Sequence, residues 1–345
     1  METVKTVAKK RNIGEFLLSY ALYFILGMIL LIVIILKPEF ASLTNIINIL
    51  KQSSTKGILA LGCAGLIVLA GTDLSIGRVV GFSAALTASL VQSVDYASRM
   101  YPGITEPVNL LIPLLLSVLV AVLFSLVNGF GVSVLHLHAF IITLGTQMIA
   151  YGVNCLYIEM QPSGSAQALS TFEQPFLDIV NKTIAVTDKV KIPYVIFYFL
   201  ILAVVMWLIW NKTRLGKNMF AVGGNPEAAA VSGVSVRRTI MMVYLVAGVM
   251  YGIASYLEAA RVQSVGANTG INYELDAISA CVIGGVSFSG GVGTVPGVVI
   301  GSIILQAINY SLYYLGINAY YQHIVKGLII ILAVSIDVRK YLAKR

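Results

Sequence analysis

The chain has 345 residues, of which 58% are hydrophobic and 11% charged, and its mean hydropathy is +0.89. Soluble domains carry about 25% charged residues, so this composition excludes a soluble globular protein and defines a membrane protein with several spans. The formal net charge of +8 does not indicate nucleic acid, because the basic residues sit mostly at the chain ends and in one loop, the distribution that the positive-inside rule produces.

Charge-free stretches locate the spans in chain order. The first apolar run, Phe16 to Leu36, has no obvious small-residue cleavage site behind it and reads as a span rather than a signal peptide. Residues 57–72, 79–94, 192–211 and 239–257 each make one span, and 107–158 and 277–325 are each long enough for two. A last span surrounds Gly327 to Ile336, extended back past Lys326. The expected fold is an all-α polytopic membrane protein of about ten transmembrane helices, at roughly twenty residues each, with broken helices or re-entrant turns.

An even number of spans puts both termini on one side. Lys5, Lys9, Lys10 and Arg11 before the first span, and Arg339, Lys340, Lys344 and Arg345 after the last, make that side cytoplasmic. Six spans precede residues 211–238, so that loop is expected in the cytoplasm, and its Lys212, Arg214, Lys217, Arg237 and Arg238 against a lone Glu227 agree. The loop 159–191 falls outside and is too small for a core of its own. The loops holding Asp95, Arg99 and Glu106, and running from Glu258 to Asp276, also fall outside. Cys63, Cys155 and Cys281 are odd in number and far apart, which suits small core residues rather than disulfides or metal ligands.

Within the cytoplasmic loop, "NPEAAAVSG" has the marks of a helix with both ends defined. Asn225 is a good N-cap, Pro226 fits the first helical position, Glu227 favours the first turn, and Gly233 supplies a left-handed C′ residue. A helix of roughly seven residues is about half the length that is marginal in water, so a partner must grip it. Its small side chains, Ala228, Ala229, Ala230 and Val231, suit a tight socket.

Two passages interrupt apolar runs with Gly and small polar residues: "AGTDLSIGRVVG" (Ala70 to Gly81) and "IGGVSFSGGVGTVPG" (Ile283 to Gly297). Paired helix breaks are the best sequence pointer to a transport path, because freed backbone groups can meet a polar solute. The path candidates are Gly71, Thr72, Asp73 and Ser75 in the first break and Gly284, Gly285, Ser287 and Ser289 in the second. Asn128 and Thr146, polar positions inside apolar runs, join them, although helix–helix hydrogen bonding accounts for most such residues. The alternative is that the breaks are tight turns, in which case Asp73 caps a helix and Arg78 stays wet. "HLH" at His136 and His138 is no helical metal pair, since i and i+2 point apart. No G-x-x-x-x-G-K-[ST] occurs, and charges inside the expected spans are too few for an evident proton relay. A transporter without its own energy source needs an external one, and the gripped helix is where an ATPase could push.

The stretches "AGTDLSIGR", "NKTRLGKNMFAVGGNPEAAAVSGV" and "YELDAISACVIGGVSFSGGVGTVPG" resemble the permease subunits of bacterial ABC sugar importers, the ribose/xylose/galactose group, from about Phe16 to the C-terminus. Within that group "GTDLS" and "GGVSFSGGVGT", with Phe288, look most like the galactose/methyl-galactoside branch. The resemblance implies a homodimer in the bacterial inner membrane and a cytoplasmic ATPase with two nucleotide sites, so that ATP-Mg binds the partner and this chain carries no cofactor and is not an enzyme. It also implies a periplasmic or lipid-anchored sugar-binding protein, and a coupling helix around Gly223 to Val234, including Gly224, in which Ala228 and Ala229 pack into a cleft of the ATPase. Ribose, xylose, autoinducer-2 or a nucleoside are alternative solutes. A stand-alone secondary sugar transporter, and a structural or receptor membrane protein, are alternatives of class.

Overall fold

The computed structural model describes residues 27, 28, 30–162, 166–187 and 190–342. Most of the first expected span and the basic residues before it, with Lys344 and Arg345, lie outside the described residues. Residues 30–36 are helical, and a 3-10 turn, Pro38–Ala41, leads into the bundle. The helices that follow are α1 (Leu43–Val68), α2 (Ile76–Leu90), α3 (Leu111–Ser133), α4 (Ala139–Glu159), α5 (Gln174–Asn181) and α6 (Tyr194–Lys212). The second half holds α7 (Arg214–Gly224), α8 (Pro226–Val231), α9 (Val236–Val262), α10 (Tyr273–Ile283), α11 (Val295–Tyr314) and α12 (Ala319–Leu342).

Five helices, α3, α4, α6, α9 and α11, are long and apolar enough to cross a membrane. Their burial sorts them into rings. The apolar windows of α9 and α11 are 61% buried, those of α3, α4 and α6 only 22–28%. The outer helices present Leu115, Leu119, Leu123, Phe140, Met148, Leu200 and Val204 outward, the surface expected against lipid. At the centre stands α1, in which every residue from Ser53 to Val68 is buried. A helix apolar all round has to be enclosed on every side, which explains its place. Gly248 and Gly252 let α9 lie directly on the α3 backbone at Val122 and Val118.

Two expected spans have different shapes from those the charge gaps suggested. The stretch 57–72 is the inner part of the longer α1, which runs through Lys51 and Lys56 and ends at Val68. Lys51 is accommodated because its ammonium donates to Asn181 Oδ1 at 2.8 Å. The stretch 277–325 does not hold two full spans. Its first helix, α10, has 11 residues, about 16 Å at 1.5 Å per residue, which is half a membrane. The residues missing from α10 form a descending loop instead. Gly77 and Gly81 on α2 leave room for the Gly270 and Thr269 carbonyls, so residues 266–272 pack along α2 rather than over its end. The expected outside loop from Glu258 to Asp276 therefore shrinks to the segment after Val262, because Glu258 belongs to α9 and Asp276 to α10, both buried.

Short strands join the remaining loops of that face. Strand β1 (Leu169–Ser170) pairs antiparallel with β4 (Ser264–Val265), Leu169 opposite Val265. A hairpin of β2 (Thr183–Thr187) and β3 (Val190–Pro193), with a bulge between Ala185 and Thr187, leads into α6. Gln92, just past α2, bridges to Phe172. The segments charge counting put on one side, after α2, before α6 and after α9, therefore meet at one end of the bundle.

Candidate functional site

The two helix breaks meet at the opposite end. Helix α1 stops in a Schellman motif: Gly71 N donates to Leu66 O at 3.0 Å and Ala70 N to Ile67 O at 2.8 Å. Ala70 takes the left-handed position at φ 59°, a conformation that favours glycine. Helix α10 ends the same way, with Val286 N donating to Cys281 O, Gly285 N to Val282 O, and Gly285 at φ 82°. The second break then turns tightly, Ser287 N donating to Val292 O and Ser289 N to Ser287 Oγ. Gly291 N donates to Val68 O at 2.8 Å, tying the second break to the end of α1. Gly223, on the last turn of α7, lies on both: a side-chain carbon there would overlap the Val68 carbonyl and stand 2.9 Å from Gly291 N.

Four of the residues singled out in the sequence join into one chain of hydrogen bonds. Asp73 Oδ1 accepts from Ser75 N at 2.8 Å and from Ser75 Oγ at 2.6 Å. Asn128 Nδ2 donates to Ser75 Oγ at 2.9 Å, and Thr146 Oγ1 donates to Asn128 Oδ1 at 2.7 Å. Asp73 and Asn128 have no exposed surface. Asp73 thus closes a turn onto Ser75, the residue before α2, and the chain ties that start to α3 and α4. Arg78 is not its partner. The guanidinium lies over the Tyr151 ring, 4.2 Å from its centre, and donates at 3.4 Å to Ala267 O. Gly71, Thr72, Gly285 and Ser289 keep part of their surface, whereas Gly284 and Ser287 are buried.

The short helix has the expected caps. Asn225 Oδ1 accepts from Ala228 N at 2.9 Å, Pro226 occupies the first position, and Gly233 has φ 83°. Val234 N donates to Ala229 O and Gly233 N to Ala230 O, a third Schellman motif. Helical phase corrects one expectation. Ala229 is buried against this chain, while Glu227, Ala228 and Ala230 are exposed and Val231 is 91% exposed.

Sequence reading missed a buried ionic network at the start of α10. Asp276 holds Lys326 of α12 at 2.7 Å and Lys56 of α1 at 3.5 Å. Glu258, 1% exposed, takes both Arg261 nitrogens at 2.7 Å, the Thr55 hydroxyl at 2.7 Å and the Tyr273 hydroxyl at 2.6 Å. Charges inside the bundle are thus more numerous than the span count allowed. The Glu258–Arg261 spacing of i, i+3 was the available signal, and it was assigned to a loop. Cys63 and Cys281 are buried and unbridged, with Cys281 Sγ donating to Ala60 O at 3.2 Å. Among the described residues no cluster of His, Cys, Asp and Glu could hold a metal ion. Two small hollows, one lined by residues such as Gly62 and Trp210 and the other by residues such as Leu66 and Val132, are each too small for a sugar.

Apolar spans, paired helix breaks and Gly223 of α7 packed against both breaks describe a multi-pass membrane protein. Residues 45–334 match the family described as the permease component of branched-chain amino acid transport systems, and the chain belongs to that family. It is 47% identical over 341 residues to the galactose/methyl galactoside import permease protein MglC of Escherichia coli, covering 97% of this chain and 98% of that one. The MglC of Haemophilus influenzae is 46% identical, over 98% and 99% of the two chains. The ribose import permease protein RbsC of Haemophilus influenzae is 34% identical, over 97% of each. No solved structure matches.

Proposed function

We propose that this chain is the membrane subunit of an ATP-driven, binding-protein-dependent importer that carries galactose or methyl galactoside across the bacterial inner membrane. The observation that carries this reading is α8, capped at both ends, exposing Val231, and connected through Gly223 to both helix breaks. The higher identity to the galactose permeases than to the ribose permease favours the hexose. In this reading two copies form a homodimer around the path. A cytoplasmic ATPase with two nucleotide sites holds ATP-Mg and grips α8, and a periplasmic or lipid-anchored protein delivers the sugar.

The sidedness follows from charge: about ten spans, both termini and 211–238 in the cytoplasm, and 159–191 outside. The partly exposed Gly71, Thr72, Gly285 and Ser289 border the inner end of the path. Single cysteines placed in 159–191 are expected to react with an impermeant thiol reagent in intact cells, and those in 212–238 only after permeabilisation. Labelling near Lys217 from outside would reverse the orientation and remove the ATPase contact. The substrate is tested by uptake in cells lacking other galactose carriers: galactose entry is expected, and entry of ribose alone would overturn the assignment.

Val231→Asp tests the contact face. Burying a valine contributes about 1.5–3 kcal/mol, so the charge should reduce recovery of the ATPase with the permease by tenfold or more, with membrane insertion unchanged. Full recovery of the ATPase would show that α8 docks by another face.

A further inference from the structure

Arg78 sits on the third residue of α2, half-buried, at a level where it meets the middle of α4 at Tyr151 and the descending loop at Ala267. An arginine inside a membrane bundle is normally paired, because leaving it to lipid is costly. Several charges of the bundle interior obey this: Lys56 and Lys326 hold Asp276, and Arg261 holds Glu258. Among the described ion pairs, Arg78 and Glu274 have none. They are nevertheless neighbours, since Glu274 feels the Arg78 charge and its carboxylate fills the space beside Gly77, the residue preceding Arg78. Tyr151 walls the place and is 36% exposed.

The polar groups around this pair are also loosely satisfied. Arg78 and Asn154 share the Ala267 carbonyl, each at 3.4 Å, and Asn154 Oδ1 is buried with no hydrogen-bond partner. A half-buried guanidinium lying on a partly exposed tyrosine ring, beside a carboxylate without an ion pair and an unpartnered amide oxygen, is an arrangement a neutral polyol satisfies. Sugar hydroxyls accept from a guanidinium and donate to a carboxylate, and the apolar face of the ring lies on tyrosine.

We propose that Arg78, Glu274 and Tyr151 form a contact site for a neutral, polyhydroxylated solute midway along the path. This rests on the sugar-importer reading. The three side chains hold the solute by separate weak contacts, so it is guided without being trapped.

The test uses the complete importer, with ATPase and binding protein, in proteoliposomes. Uptake of galactose is compared with that of a galactose lacking one hydroxyl, for wild type, Arg78→Gln, Glu274→Gln and Tyr151→Leu. The expected result is at least a tenfold loss of galactose uptake, with the preference for galactose over the deoxy sugar narrowing in the first two variants. Unchanged uptake, or loss that leaves the preference as it was, overturns the site. A wild-type importer that moves no sugar overturns the transport reading itself, so the two failures are distinguishable. Independently, Tyr151→Cys in protein carrying Cys155→Ser is expected to react with a water-borne maleimide at least tenfold faster than the buried Cys63 and Cys281. An unreactive cysteine at 151 places the ring against lipid and overturns the site.

Discussion

Gly223→Val is expected to abolish transport and destabilise the purified protein, whereas Gly224→Ala, one residue on, should leave stability unchanged. The two glycines differ in what surrounds them. A side-chain carbon at Gly223 collides with the Val68 carbonyl and approaches Gly291 N, whereas one at Gly224 has nothing within 4 Å. The colliding atoms are main chain, so no rotamer change relieves the overlap. Either α7 withdraws or the hydrogen bond from Gly291 N to Val68 O breaks. Overpacking typically costs about 1–3 kcal/mol, and forcing apart two capped helix ends puts this case at the upper end. Thermal unfolding in detergent and sugar uptake in cells check both variants. A stable, active Gly223→Val would remove the close contact on which the connection between α8 and the breaks depends.

Asp276→Ala is expected to have a comparable effect for an electrostatic reason. Asp276 pairs with both Lys56 and Lys326, at 3.5 and 2.7 Å, and its removal leaves two ammonium groups close together without that carboxylate. Removing one partner of a buried ion pair costs about 3–5 kcal/mol, because the remaining charge keeps its desolvation penalty. Lys326→Met should cost much less, since Asp276 retains Lys56. The defect should also respond little to salt, which screens exposed pairs more than buried ones. Melting curves of the three proteins at low and high ionic strength give the comparison. An Asp276→Ala protein as stable as Lys326→Met would mean that the pairs contribute nothing to the packing of α10 and α12.

What the sequence disclosed and what it concealed follow from the range of the forces involved. Helix α8 was legible because its caps are local: Asn225, Pro226 and Gly233 act on groups within three or four residues. Which of its alanines faces out was not, since that depends on where the rest of the chain lies, and Ala229 proved to face inward. The breaks were visible as Gly and Ser clusters, but their meeting with Gly223 joins residues far apart in sequence and leaves no periodic trace. Asp73, Ser75, Asn128 and Thr146 were each noticed as polar, and their union in one hydrogen-bonded chain required the fold. The ionic network was hidden by the rule that found the spans. Counting charge-free lengths turns every buried Glu258 or Asp276 into a loop boundary, so paired charges inside the bundle were read as water-exposed.

The meeting of Gly223 with the two breaks also determines how faithfully a push is delivered. Side chains between moving parts act as springs, because rotamers shift before backbones do. Here Val68 carbonyl, Gly291 amide and Gly223 α-carbon touch with no side chain between them. In the importer proposed above, a partner pressing on α8 displaces the end of α1 and the second break together. In that reading, ATP spent without cargo moved points to damage at this main-chain joint rather than to slack around it.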